Sequence, residues 1–163
     1  MHGVLAERLF GEARAAEMPD LVGLQSCVRE AMLLAQIDGV HAMHDATEGG
    51  IAGGLQEIAW ASNACVVAYE DKIPIHKETE IICKTLGIDP LKTISSGTLL
   101  IAARPESTQK IVAALVREGV EASIIGKVTR KTQGIYIIRK NGVRLNLGKP
   151  VKEEIWNAIK EPL

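Results

Sequence analysis

Along the chain, apolar positions at helical intervals alternate with short, nearly unbroken apolar runs, the pattern of helices succeeding buried strands. Leu24, Cys27, Val28, Ala31, Met32 and Ala35 recur at helical spacing with Arg29 and Glu30 on the other side, which predicts an amphipathic helix lying on a sheet. Asp38-Gly39 breaks it, and 40–45 reads as a short strand. A second helix over 51–62 carries Leu55, Ile58 and Ala59 on one face, and 64–69 is a Val-containing run suited to a central strand. Ile75, Thr79, Ile82 and Leu86 predict a third helix, stopped by Gly87 and Pro90. Residues 98–103 form the next strand. Pro105-Glu106 opens a helix whose buried face is Ile111, Val112, Leu115 and Val116, closed by Gly119. A strand over 120–128 follows. Asn141-Gly142 between 134–139 and 143–147 signals a hairpin with a type I′ turn, and Pro150 starts a last helix packing through Val151, Ile155, Trp156 and Ile159.

Strands alternating with helices, then a terminal hairpin, indicate an α/β (α+β) fold: a mixed sheet with helices on one or both faces. With 163 residues, 47% hydrophobic and 24% charged, the chain holds enough apolar mass for one core and reads as a single domain, 1–163, with a lead-in over 1–20 and a terminal helix over 150–163. A formal net charge of −1 leaves no cationic excess to neutralise nucleic-acid phosphates, so nucleic acid is not an expected partner. No apolar stretch approaches the roughly 18 residues that span a bilayer, and Glu7, Arg8 and Glu12 do not fit a signal-peptide layout, so a cytoplasmic protein without membrane attachment is expected. Three widely spaced cysteines, Cys27, Cys65 and Cys83, argue against a disulfide framework or a zinc site, and they are expected to be reduced and buried.

The candidate chemistry lies at the polar, glycine-rich turn between the strand at 40–45 and the helix that follows it, in the run Asp45-Ala-Thr47-Glu48-Gly49-Gly50-Ile-Ala-Gly53-Gly54. A strand opening into a helix aims backbone N–H groups and the positive end of the helix dipole at one point, which favours a phosphate or carboxylate. A structural alternative is that Asp45 and Thr47 merely cap the helix. Each glycine in a helix costs roughly 0.5–1 kcal/mol relative to Ala, so the glycines need an offsetting reason: close packing or a ligand on the exposed N–H groups. The run is neither a Rossmann fingerprint nor a P-loop. His41 and His44, three apart on a strand, would face opposite ways, so no metal site is expected from them, although His44 could lie beside a ligand. A second polar turn, with Ser95, Ser96 and Gly97, reads either as an ordinary hydroxyl-rich turn or as another wall of the same anion site. Glu48 and Glu57 are potential acid or base residues, though helix-face carboxylates are usually just solvated.

With Asp45-Ala-Thr47-Glu-Gly49-Gly50 after a strand, Ile73-Pro74 beyond it and Ser96-Gly97-Thr98-Leu99-Leu100 downstream, the chain resembles the C-terminal domain of the aminoimidazole ribonucleotide (AIR) synthase, PurM-like superfamily, which includes selenophosphate synthetase, thiamine monophosphate kinase and HypE. The likeness is greatest to HypE, through Asp, Thr and the Gly pair and through Gln56-Glu57-Ile58-Ala59. The resemblance implies an α/β/α arrangement around a mixed sheet. It also implies ATP and magnesium as cofactors, bound mostly by an N-terminal domain, with Asp45, Thr47, Gly49 and Gly50 contributing phosphate contacts to the cleft between the domains. Partners implied are that N-terminal domain or subunit and a second copy in a homodimer. The first domain's acidic metal ligands have no counterpart in the sequence, and the HypE tail ending in a reactive cysteine is not matched by Ile159-Lys-Glu-Pro-Leu163. A chain of this kind is expected to be catalytically incomplete alone and unsuited to carbamoyl-to-cyanide chemistry. The HypE likeness implies a link to hydrogenase maturation, and three readings follow: the second domain of an ATP-dependent, phosphoryl-transfer-type enzyme that activates a carbonyl or amide oxygen, a non-catalytic phosphate/nucleotide-binding or dimerisation module, or a scaffold in which the turn is only a cap.

Overall fold

The computed structural model describes residues 25–130 and 133–158. Its elements run α1 (Val28–Leu34), β1 (Val40–Asp45), α2 (Gly50–Ala61), β2 (Cys65–Tyr69), α3 (Lys77–Leu86), β3 (Leu99–Ala103), α4 (Thr108–Arg117), β4 (Gly126–Thr129), β5 (Ile135–Ile138), β6 (Arg144–Asn146) and α5 (Ile155–Ala158). The expected lead-in and Ile159 lie outside the described residues.

The strands divide between two sheets. β1 and β3 form an antiparallel ribbon, while a four-stranded sheet in the order β4-β2-β5-β6 pairs β2 parallel to β5 and is antiparallel elsewhere. The second sheet is therefore mixed, as the alternation of elements predicts. Its central strand β2 is buried along Cys65–Ala68, which is why that segment reads as an apolar run without alternation.

α2 lies against both sheets. Ile51, Ala52, Leu55 and Ala59 of this helix share a core with Val66, Ala68 and Ile137 of the larger sheet and with Leu100 of the ribbon. The other face of the ribbon, through Val40, Met43, Leu99 and Ile101, packs with Leu34 of α1 and with Ile111 and Leu115 of α4. Period-two alternation along β3 thus splits its side chains between two cores: Leu100 toward α2, its neighbours toward α1 and α4. The layers run from α1 and α4 through the ribbon to α2 and then to the four-stranded sheet.

Three local expectations change. The strand expected over 120–128 is confined to Gly126–Thr129, because Val120 and Ala122 are spent on the α1–α4 core before pairing with β2 begins. The Asn141-Gly142 hairpin forms, yet Gly142 alone takes positive φ (+81°), with its N–H donating to Arg139 O at 2.8 Å. A type I′ turn would need positive φ at both central residues, so this is the longer hairpin loop in which glycine follows the turn. The last helix starts at Ile155 rather than near Pro150, because Leu147, Lys149 and Val151 are pinned by their backbones to Gln56 of α2.

Candidate functional site

β1 ends at Asp45, paired with Leu99, and the chain enters the turn through buried Ala46, whose N–H donates to Thr98 O at 2.9 Å. The Ser95 hydroxyl donates to Ala46 O at 2.6 Å and the Ser95 N–H to Thr47 O at 3.3 Å. The two polar turns therefore meet. Ser96 is exposed beside them, and Gly97 reverses the chain at φ +90°.

The residue that caps α2 is Gly49, in the left-handed conformation (φ +73°), with no side-chain cap. Neither Asp45 nor Thr47 fills that role, which corrects the capping alternative, and both side chains are exposed along with Glu48.

Backbone amides that the sequence suggested were open at this terminus have protein acceptors. Gly49 N–H donates to Glu153 Oε2 at 2.8 Å, Gly50 N–H to Thr47 O at 3.1 Å, and Ala52 N–H to Leu91 O at 2.9 Å. A carboxylate from the C-terminal segment thus occupies the position where the helix dipole favours an anion. Glu153 is fixed by a second bond, accepting from Ile155 N–H through Oε1 at 2.9 Å, so one side chain caps α5 and seals α2.

The glycines have a packing reason. A Cβ on Gly50 would sit 2.4 Å from Thr93 O and 2.9 Å from Leu91 O, and one on Gly54 would sit 2.7 Å from Leu100 Cδ1 and 3.3 Å from His44 Cδ2. The backbone of the loop over 91–93 approaches Gly50 so closely that only hydrogen fits, and side chains of the ribbon crowd Gly54, which offsets the glycines' cost in a helix.

His44 Nε2 lies 2.5 Å from Glu57 Oε2, joining β1 to α2 in a half-exposed pair next to Asp45. The opposite-face argument for His41 and His44 assumed an unbroken strand, whereas β1 carries a register irregularity between Val40 and Ala42, so alternation does not carry across His41. Cys83 and Cys65 are buried, but Cys27 is half-buried, which corrects the expectation for that residue. Burial pushes the Cys83 thiol up to about 11, helped by Asp89, Glu153 and Glu154, and burial together with the Asp45 charge raises Cys27. Both thiols are held in their unreactive, protonated form.

Sequence reasoning overlooked the groups that lock the site. Gln56, 3% exposed, donates through Nε2 to Leu147 O and, at 2.5 Å, to Lys149 O, and accepts from Val151 N–H at 3.1 Å. Glu154 accepts from Asp89 N–H at 2.7 Å and from Lys92 Nζ at 3.1 Å, and Asp89 in turn pairs with Arg139, which also reaches Glu70 at 3.2 Å. Burial opposes the Arg139 charge, but hydrogen bonding and attraction from Asp89 and Glu70 outweigh it and raise its pKa above the ordinary arginine value. A glutamine on a helix face otherwise made of Leu55 and Ala59 was the available signal.

Among the described residues no helix is long and apolar enough to cross a membrane. The family of AIR synthase related proteins, C-terminal domain, matches residues 2–139. A hydrogenase expression/formation protein of Methanocaldococcus jannaschii is 36% identical over 118 residues, covering 69% of this chain and 35% of that protein, so the chain spans about a third of that relative's length. The crystal structure of Escherichia coli HypE superposes with a TM-score of 0.73 at 28% identity, covering 92% of this chain and 48% of that one. A structure of HypE in complex with ATP gives 0.70 at 25% identity, covering 80% and 41% respectively. The fold, the ordered run of motifs and a family match over most of the sequence agree: the chain belongs to the AIR synthase-related family, as its C-terminal domain, with hydrogenase-maturation HypE proteins among its relatives.

Proposed function

We propose that this chain works as the C-terminal part of a HypE-like, ATP-dependent enzyme, presenting Asp45, Thr47 and Glu48 to a cleft completed by an N-terminal AIR-synthase-like domain or subunit. The observation that carries this reading is that the Asp45 and Thr47 side chains are exposed and unused by capping, on a turn whose backbone is clamped by Ser95 and by the glycine packing of α2. A polar group held this firmly and left facing outward is pre-organised for a partner surface rather than for its own fold.

The donor set suits the implied cofactors in a supporting role. Thr47 and Ser96 hydroxyls and the Gly97 N–H are donors for phosphate oxygens, and the Asp45 and Glu48 carboxylates are hard oxygen ligands of the kind magnesium accepts through its water shell. Bound ATP would supply the phosphoryl group that activates a carbonyl or amide oxygen. Glu57, oriented by His44, is placed to accept a proton at its free oxygen. Gly49 enters phosphate binding only if Glu153 moves off its amide, so an anion would compete with that carboxylate, and Gly50 enters only if its N–H also leaves Thr47 O. A homodimer accords with the same superfamily arrangement.

The test is ATP binding by calorimetry for the chain alone, for a HypE-type N-terminal domain alone, and for the mixture with magnesium. Tighter binding in the mixture is expected, with Asp45→Asn and Thr47→Val each weakening it about tenfold or more, the scale of one lost charge-assisted contact. Equal binding with and without this chain would refute the reading. Binding by this chain alone, enhanced by Glu153→Ala, would favour the free-standing phosphate-binding module instead.

A further inference from the structure

The C-terminal end of α2 borders a concavity of about 730 Å³, within the roughly 300–1,000 Å³ of small-molecule sites. Its chemistry is one-sided. Among the described residues Arg144 is the only charged one in the lining and no carboxylate lines it. Among the described residues Arg144 makes no ion pair; its guanidinium stands 4.7 Å over the Tyr136 ring, which orients the cation without neutralising it. Asn146 Oδ1 accepts from the Gly148 N–H at 2.7 Å, which leaves the Asn146 NH₂ as a donor. Trp60 is 50% exposed at the rim, so an indole face and an N–H donor are both available. Ile135 and Ala59 add apolar surface. An aromatic wall combined with an unneutralised cation and amide donors matches a flat ring bearing an acidic group.

We infer that this concavity binds a small planar aromatic anion, a carboxylate or its like, with the ring against Trp60 and the acidic group on Arg144. The site stands apart from the Asp45–Thr47 turn. α2 runs between them, and its twelve residues span about 18 Å at 1.5 Å each. The inference is independent of the ATP reading.

The full chain, ¹⁵N-labelled, would be titrated with 2-naphthoate and in parallel with the cationic isostere 2-(aminomethyl)naphthalene. Expected are shifts centred on the Trp60 indole N–H and the Gly134, Asn146 and Gly148 amides, with the anion bound at least about tenfold more tightly, as one charge-assisted contact provides. Arg144→Gln should abolish that preference without changing affinity for the cation, and Trp60→Leu should weaken both probes. Both side chains are exposed, and unchanged far-UV circular dichroism would verify the fold of each variant. Equal affinity for the two probes, no saturable binding, shifts centred on Gly49–Ala52, or an Arg144→Gln titration identical to the parent would each overturn the inference. So would a peptide ending in an aromatic residue that binds these amides more than tenfold better than naphthoate, since the site would then serve a protein chain.

Discussion

Adding one methyl group at residue 49 or at residue 50 separates two costs that are usually entangled. Both glycines have positive φ, +73° and +58°, so alanine at either position incurs about 1 kcal/mol of left-handed backbone strain. Their surroundings differ. A Cβ at residue 49 meets Gly53 Cα at 3.4 Å and Val151 Cγ1 at 3.6 Å, ordinary contact, whereas at residue 50 it would lie 2.4 Å from Thr93 O and 2.9 Å from Leu91 O. Those oxygens belong to the backbone, and Leu91 O already accepts from Ala52 N–H, so relief requires moving a loop that is itself bonded to α2. Overpacking of this kind adds about 1–3 kcal/mol. Gly50→Ala should therefore lose about 2–4 kcal/mol and Gly49→Ala about 1 kcal/mol, read from urea midpoints at constant m-value. If the two variants lose equal stability, or if Gly50→Ala loses less than about 1 kcal/mol, close packing is not what keeps residue 50 a glycine.

Gln56→Ala should cost about 2–4 kcal/mol, since it strands the Leu147 and Lys149 carbonyls and the Val151 N–H, and amide exchange at Val151 should quicken more than at β2. Arg139→Met removes the cation that bridges Asp89 and Glu70 and should lose about 3 kcal/mol in chemical denaturation. The Cys83 thiol, raised from 9.0 to about 11, favours the folded state fully below pH 9 and loses that contribution as pH rises through 11. Wild type should lose up to about 3 kcal/mol over that interval relative to Cys83→Ala, measured by denaturation at each pH. Asp45→Asn, at an exposed position that caps nothing, should change stability by less than about 0.5 kcal/mol, which a matched melting curve would check.

Periodicity made the helices and β2 legible, because their apolar stripes follow directly from burial on one face or on both. The division of strands into two sheets was not legible, since Leu100 and its neighbours look like any alternating strand until it is known which core each face meets. The sequence left open whether the two polar turns meet; the Ser95 contacts to Ala46 and Thr47 bring them together. Their hydrogen-bonding state was not foreseeable, because the acceptor for Gly49 comes from Glu153, 104 residues away. Local pattern carries no record of such a distant partner. The same limit hid the Arg139, Asp89 and Glu70 network, whose members are 50 and 69 residues apart.

Because α2 is the layer common to both sheets, neither can dispense with it. A two-stranded ribbon is marginal by itself in water, and this one has α2 as the support on one of its faces. Withdrawing that helix would strip the larger sheet in the same event, so heating should melt the domain in a single step with equal calorimetric and van't Hoff enthalpies. The helix acts as a keystone: whatever loosens it loosens the whole arch.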